Sequence, residues 1–144
     1  MKLTIQKTEE QEPEIIIKCC EVNSELQKIM DFIENTEKII IVQNNGAMEK
    51  LNLDDIYYFE SVDEQTFVYT MDKVYQYSQK LYELERILEN TSFVRISKSC
   101  ILNTDYLESV RAAFNGRLEA LLSNHEKVII NRHYVPQFKR KFGL

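Results

Sequence analysis

The chain has 144 residues, 44% of them hydrophobic, with 18 Lys and Arg against 23 Asp and Glu for a formal charge of −5. That length suits one compact domain with a small extension, and three Gly and two Pro are too few for a disordered tail. The longest apolar runs, 15–17 and 39–42, are far too short to cross a bilayer and residues 1–11 hold no apolar signal core, so a cytoplasmic protein is expected.

Short apolar runs at 3–6 and 15–19 read as strands, separated by an acidic stretch, 8–14, that contains Pro13. A helix is predicted over 24–35. Leu26, Ile29, Met30 and Ile33 fall on one face, Ser24 with Gln27 fits a capping box, and Asn35 can close it. Runs at 39–42 and 47–53 flank Asn44-Asn45-Gly46, whose Asn-Gly pair tolerates positive φ, so they read as a hairpin. Three more strands follow at 56–61, 67–70 and 74–77, rich in Tyr, Phe and Val. Leu81, Leu84 and Leu88 then mark a second helix over 79–89, with Ser78 as its cap.

Runs at 93–96 and 100–103 are split by Ser97-Lys98-Ser99. Next, 109–114 and 117–122 surround Asn115-Gly116, and a two-residue turn there would set Phe114 against Arg117 and Arg111 against Ala120. A strand at 127–130 leads to a last amphipathic helix with Pro136 in its first turn and Val135, Phe138 and Phe142 inward. Lys139, Arg140 and Lys141 complement its dipole.

No catalytic constellation stands out. His125 and His133 lack a metal-ligand spacing, and Cys19, Cys20 and Cys100 suggest reduced, mostly buried thiols rather than a disulfide framework. No nucleophile elbow or phosphate loop is present, and no cofactor, metal or small-molecule substrate is implied. The acids Asp54, Asp55, Glu60, Asp63 and Glu64 read as a solvated turn and strand edge, with a small hydrolase as the rival reading.

The charge is unevenly distributed. Residues 1–91 carry 9 basic and 19 acidic side chains, whereas residues 92–144 carry 9 basic and 4 acidic, a net of −10 against +5. A polyanion would therefore meet the last third of the chain. Several of its cations, among them Arg95, Lys98, Arg117 and Arg132, fall at strand ends or in turns, where they can reach a phosphate or the O6/N7 edge of guanine.

Four segments, in order, carry a resemblance. Ile56-Tyr57-Tyr58-Phe59-Glu60-Ser61, the leucine helix at 81–88, Phe93-Val94-Arg95-Ile96-Ser97-Lys98-Ser99-Cys100-Ile101-Leu102-Asn103 and Val128-Ile129-Ile130-Asn131-Arg132-His133-Tyr134-Val135 resemble the LytTR family of DNA-binding domains over roughly 38–144. The resemblance implies an α+β, mainly antiparallel β domain with two helices at 38–144; residues 1–37 lie outside it and read from their own pattern as a strand-strand-helix extension. It also implies a transcription regulator that binds a direct repeat in promoter DNA, reading major grooves with loops and strand ends, as a homodimer on DNA. The base-reading positions then fall near Thr66 in the loop after the 56–61 strand, at Lys98 in its turn, and at Arg132 before the last helix. Ser97, Ser99 and Asn131 become neighbouring contacts.

Response regulators of the family carry a receiver of about a hundred residues or more, and residues 1–37 are too few for one, so phosphorylation in cis is not expected. Stand-alone members of the family often work beside a small membrane protein that restrains them, so the resemblance implies such a regulator as a partner. The main alternative is a protein-interaction module of the same fold without DNA binding.

Overall fold

The computed structural model describes residues 1–9, 14–36 and 38–144, without the side chains of Asn35 and Thr36. They form two units, Met1–Asn35 and Thr36–Leu144. In the first, one helix, α1 (Ser24–Thr36), follows an irregular stretch. Its apolar stripe of Leu26, Ile29, Met30 and Ile33 is half-buried. The cap is Asn23 rather than Ser24: its side-chain oxygen accepts from the Leu26 N–H at 2.9 Å and its carbonyl accepts from the Gln27 N–H at 3.0 Å. The expected Ser24–Gln27 capping box does not form, because Ser24 is already the first helical residue.

Neither strand expected at 3–6 and 15–19 is present. Leu3, Ile5, Ile15 and Ile16 stay exposed, and an apolar run without a ladder partner gains nothing from extending. The Pro13 stretch lies outside the described residues. Cys19 and Cys20 are exposed as well, against the expectation of buried thiols.

The second unit is almost entirely antiparallel sheet. Strands β1 (Ile39–Asn44), β2 (Ala47–Asn52), β3 (Ile56–Val62), β4 (Gln65–Thr70), β5 (Val74–Tyr77), β6 (Phe93–Ser97) and β7 (Cys100–Asn103) form a seven-stranded sheet in the order β2-β1-β5-β4-β3-β7-β6. Strands β8 (Leu107–Ala112), β9 (Leu118–Leu122) and β10 (Lys127–Ile130) form a smaller sheet in the order β10-β9-β8. The helices are α2 (Leu81–Ile87) and α3 (Val135–Phe142).

The alternation of side chains across a strand splits the core into two layers. Ile56, Phe59, Val68, Phe93 and Ile101 pack with Leu81, Leu84 and Leu88 of the α2 region on one face. Their neighbours Tyr57, Val94 and Leu102 face the other way, onto Ala120, Leu122 and Ile130 of the small sheet and Phe138 of α3. Burying side chains such as these contributes about 1.5–3 kcal/mol each, which holds α2, the large sheet, the small sheet and α3 in one stack.

Local signals set the connections. Asn45 and Gly46 both adopt positive φ between the paired Asn44 and Ala47, the expected two-residue hairpin turn. Helix α2 starts two residues later than predicted. The Lys80 N–H donates to the Glu83 carboxylate at 2.8 Å, and Ser78 takes no part in the cap. Helix α3 keeps Pro136 in its first turn and closes on Gly143 in the left-handed region. No helix among the described residues is long and apolar enough to cross a membrane.

Candidate nucleic-acid interface

The expected site residues fall into two groups. Thr66 is not in a loop. Asp63 and Glu64 make a two-residue turn, both with positive φ, so that Val62 pairs with Gln65 and Ser61 with Thr66. Thr66 is therefore the second residue of β4, paired also to Tyr77 of β5, and only 3% exposed.

Arg95 is likewise not a free cation. Its guanidinium donates to the Ser97 carbonyl at 2.7 Å, to the Glu85 carboxylate at 3.0 Å, and to the Lys98 carbonyl. The side chain is 14% exposed. Its work is local: it clamps both carbonyls of the turn that presents Lys98, and Glu85 on α2 holds the clamp in place.

That turn is tight. Ser97 pairs with Cys100, leaving Lys98 and Ser99 at the tip. The Ser97 hydroxyl accepts from the Ser99 N–H at 3.1 Å, and the Ser99 carbonyl accepts from the Ser61 N–H at 2.8 Å. Ser97 is thus half-buried and occupied within the turn, whereas Ser99 and Lys98 are exposed. Behind them, burial first and the Glu60 carboxylate second push the Cys100 thiol up to about 12, so it stays protonated and unreactive at neutral pH.

Arg132 opens a single turn of tight helix, Arg132–Tyr134, between β10 and α3. Just before it, the Asn131 N–H donates to the Ile96 carbonyl at 2.9 Å, tying this junction to the end of β6 beside the Lys98 turn. Asn131 and Arg132 are both exposed.

The β8–β9 connection supplies a third loop. The hairpin register differs from the expected one by a residue: Arg111 faces Glu119 and Ala112 faces Leu118, because the loop closes through the Ala113 N–H to the Arg117 carbonyl at 2.9 Å. Asn115 and Gly116 still take the positive φ that their types suggest. A methyl group placed on Gly116 would lie 2.9 Å from Arg132 Cδ and 3.1 Å from Cγ, so the aliphatic stem of Arg132 runs against the bare backbone of this glycine. The sequence signals a turn here. The seat for Arg132 is a tertiary fact that no local pattern carries.

Three elements therefore meet, through the Asn131–Ile96 hydrogen bond and the Gly116–Arg132 contact. Charge sorts them further. Arg111 and Lys127 both lie on Glu119, at 2.5 and 3.9 Å, and the Lys141 ammonium donates to the Glu89 carbonyl at 2.6 Å. Lys98, Arg117 and Arg132 form no ion pair with a described residue. The acidic residues of the rival enzyme reading do not converge. Asp54 and Asp55 precede β3 and Asp63 and Glu64 follow it, placing the pairs about 20 Å apart along a seven-residue strand.

The LytTr DNA-binding domain family matches residues 46–143. The chain belongs to that family. Membership makes residues 46–143 a DNA-binding domain. Its sequence is 33% identical over 105 residues to the sensory transduction protein LytT of Enterococcus faecalis, covering 73% of this chain and 43% of LytT. The chain thus spans less than half the length of that relative. A Staphylococcus aureus protein, an uncharacterized HTH-type transcriptional regulator, is 25% identical over 147 residues, covering 100% of this chain and 99% of its own. Among solved structures, the LytTr DNA-binding domain of a Bacillus cereus methyl-accepting/DNA response regulator superposes with a TM-score of 0.69 at 20% identity, over 74% of this chain and 98% of that one. The mainly antiparallel LytTr fold is shared.

Proposed function

We propose that the chain acts as a transcription regulator that reads a repeated promoter element in double-stranded DNA, as a homodimer on the duplex. The turns of Lys98 and Arg132 and the β8–β9 loop face the major groove in this reading. The observation that carries it is the pattern of charge: Lys98, Arg117 and Arg132, without ion pairs to described residues, lie on three linked loops, with exposed Lys139 and Arg140 on the α3 helix that follows Arg132, whereas Arg95, Arg111 and Lys127 are ion-paired within the fold. Arg132 is the base reader, since a guanidinium can grip guanine O6 and N7 together. Lys98, Arg117, Ser99 and Asn131 supply phosphate and neighbouring contacts. Thr66 and Arg95 leave the set of contacts, the first as buried strand and the second as the clamp of the Lys98 turn.

Titrating a fragment of the promoter region at several salt concentrations tests the reading. With four or so phosphates neutralised per protomer by Lys98, Arg117, Lys139 and Arg140, log K should fall with log salt at a slope of about −3 to −4 per protomer. Absence of a complex above the nonspecific level would instead favour a protein-interaction module.

Gly116→Ala gives a second expectation. The added methyl would press on the Arg132 stem, and a φ of +72° is unfavourable for alanine, so stability should drop by about 1–2 kcal/mol. Specific affinity should lose part of what Arg132→Ala removes, with nonspecific affinity unchanged. The double variant should bind no more weakly than Arg132→Ala alone, because both changes act through one guanidinium. Anisotropy titrations of the three variants check this.

A further inference from the structure

Phe114 is 85% exposed, more than any other large hydrophobic side chain among the described residues of the Thr36–Leu144 unit. A single exposed aromatic is ordinary on a protein surface. Its setting is not. Phe114 sits in a loop closed by the Ala113–Arg117 hydrogen bond and bent by positive φ at Asn115 and Gly116, so the backbone that presents the exposed ring is held in a defined place. Gly116, two residues on, carries the stem of Arg132, and Arg117 follows without an ion pair to a described residue.

We infer that Phe114 is a specificity-determining residue that contacts the C5-methyl group of a thymine close to the base pair read by Arg132. The inference rests on the DNA-reading proposal above and deepens it. A phenyl ring has no donor for a phosphate and no hydrogen bond for a base edge. The thymine methyl is the apolar group that the major groove offers, and it is what such a side chain recognises there. Because the loop and Arg132 are in contact, a guanidinium placed in the major groove brings Phe114 to the same groove and not to the minor one. The recognised element should accordingly pair a guanine with a nearby thymine, one read by hydrogen bonds and the other by contact.

The test uses the full chain and a DNA fragment that it binds specifically. Each thymine is replaced in turn by deoxyuridine, which removes one methyl and leaves the base pairing intact. The native protein should lose about fourfold in affinity at one thymine of each half-site, the effect of burying a single methyl group. Phe114→Ala should bind the unmodified fragment correspondingly more weakly and show no further loss at that position. Phe114→Leu, which keeps an apolar contact, should recover part of the sensitivity. If no thymine is methyl-sensitive in the native protein, or if Phe114→Ala keeps the native sensitivity, the inference is overturned while the DNA-reading proposal stands on its salt slope and on Arg132. Failure to find any specifically bound fragment would overturn both.

Discussion

Arg132→Ala should weaken the specific DNA complex about 5- to 150-fold, the equivalent of the 1–3 kcal/mol that a bidentate guanine contact contributes to discrimination. Nonspecific binding, which depends on phosphate neutralisation, should change by less than twofold to threefold at moderate salt, on the order of one lost charge. The asymmetry is the point of the experiment. Arg132 stands at a junction that is pinned twice, by the Asn131–Ile96 hydrogen bond behind it and by Gly116 beneath its stem. A side chain held in that way loses less conformational entropy on binding than a free surface arginine. Arg132→Lys should recover charge without the two-toothed grip, restoring nonspecific affinity fully and specific affinity only in part. Equal losses in both complexes for Arg132→Ala would reduce it to a backbone-positioning residue.

Much of the second unit is legible in the sequence. The strands of residues 39–44, 56–62, 74–77, 100–103 and 127–130 lie where β-branched and aromatic residues cluster, since those side chains suit a pleated, half-buried surface. Asn-Gly pairs mark both hairpin turns because they accept positive φ. The family motifs lead correctly to a LytTr domain.

What stays hidden depends on partners far apart in sequence. The isoleucines at 15–17 look like a strand, yet a strand exists only beside another edge, and none pairs with them among the described residues. Thr66 is misread as a loop residue because Asp63-Glu64 contains no glycine, and nothing local announces that two acidic residues will both take positive φ. Arg95 looks as free as Lys98 in a charge count. Only the approach of Glu85 from α2 and the folding back of two carbonyls distinguish the clamp from the residue it presents. The hairpin register at Arg111 slips by one residue because the loop closes at Ala113 and Arg117 instead of one step closer to the tip. In each case long-range geometry, and not the local pattern, decides the outcome.

Asn103→Ala should cost the second unit about 2–4 kcal/mol, the effect of stranding buried polar groups whose hydrogen bonds are lost together. Asn103 is 1% exposed at the end of β7. Its amide donates to the Ile56 carbonyl at 2.9 Å, while its oxygen accepts from the Ser92 hydroxyl at 2.7 Å and from the Asp105 N–H at 3.0 Å. One side chain thereby joins the start of β3 and the entry to β6 to the turn into β8, where the large sheet hands the chain to the small one. Alanine would leave the Ile56 carbonyl and the Ser92 hydroxyl without these partners in a site with little access to water. Leucine at 103 would fill the volume and still strand them, so it should destabilise by a similar amount, which separates the polar loss from a cavity. In urea the midpoint should fall with the slope unchanged, as expected for a two-state loss of stability, and the melting temperature should drop by roughly 10 °C or more for a domain of this size. Asn103 does not touch the Lys98 turn, Arg132 or the β8–β9 loop in its hydrogen bonding. The folded fraction of the variant should therefore keep its DNA sequence preference and salt slope, whereas a change in either would mean that the junction between the sheets also sets the spacing of the reading loops.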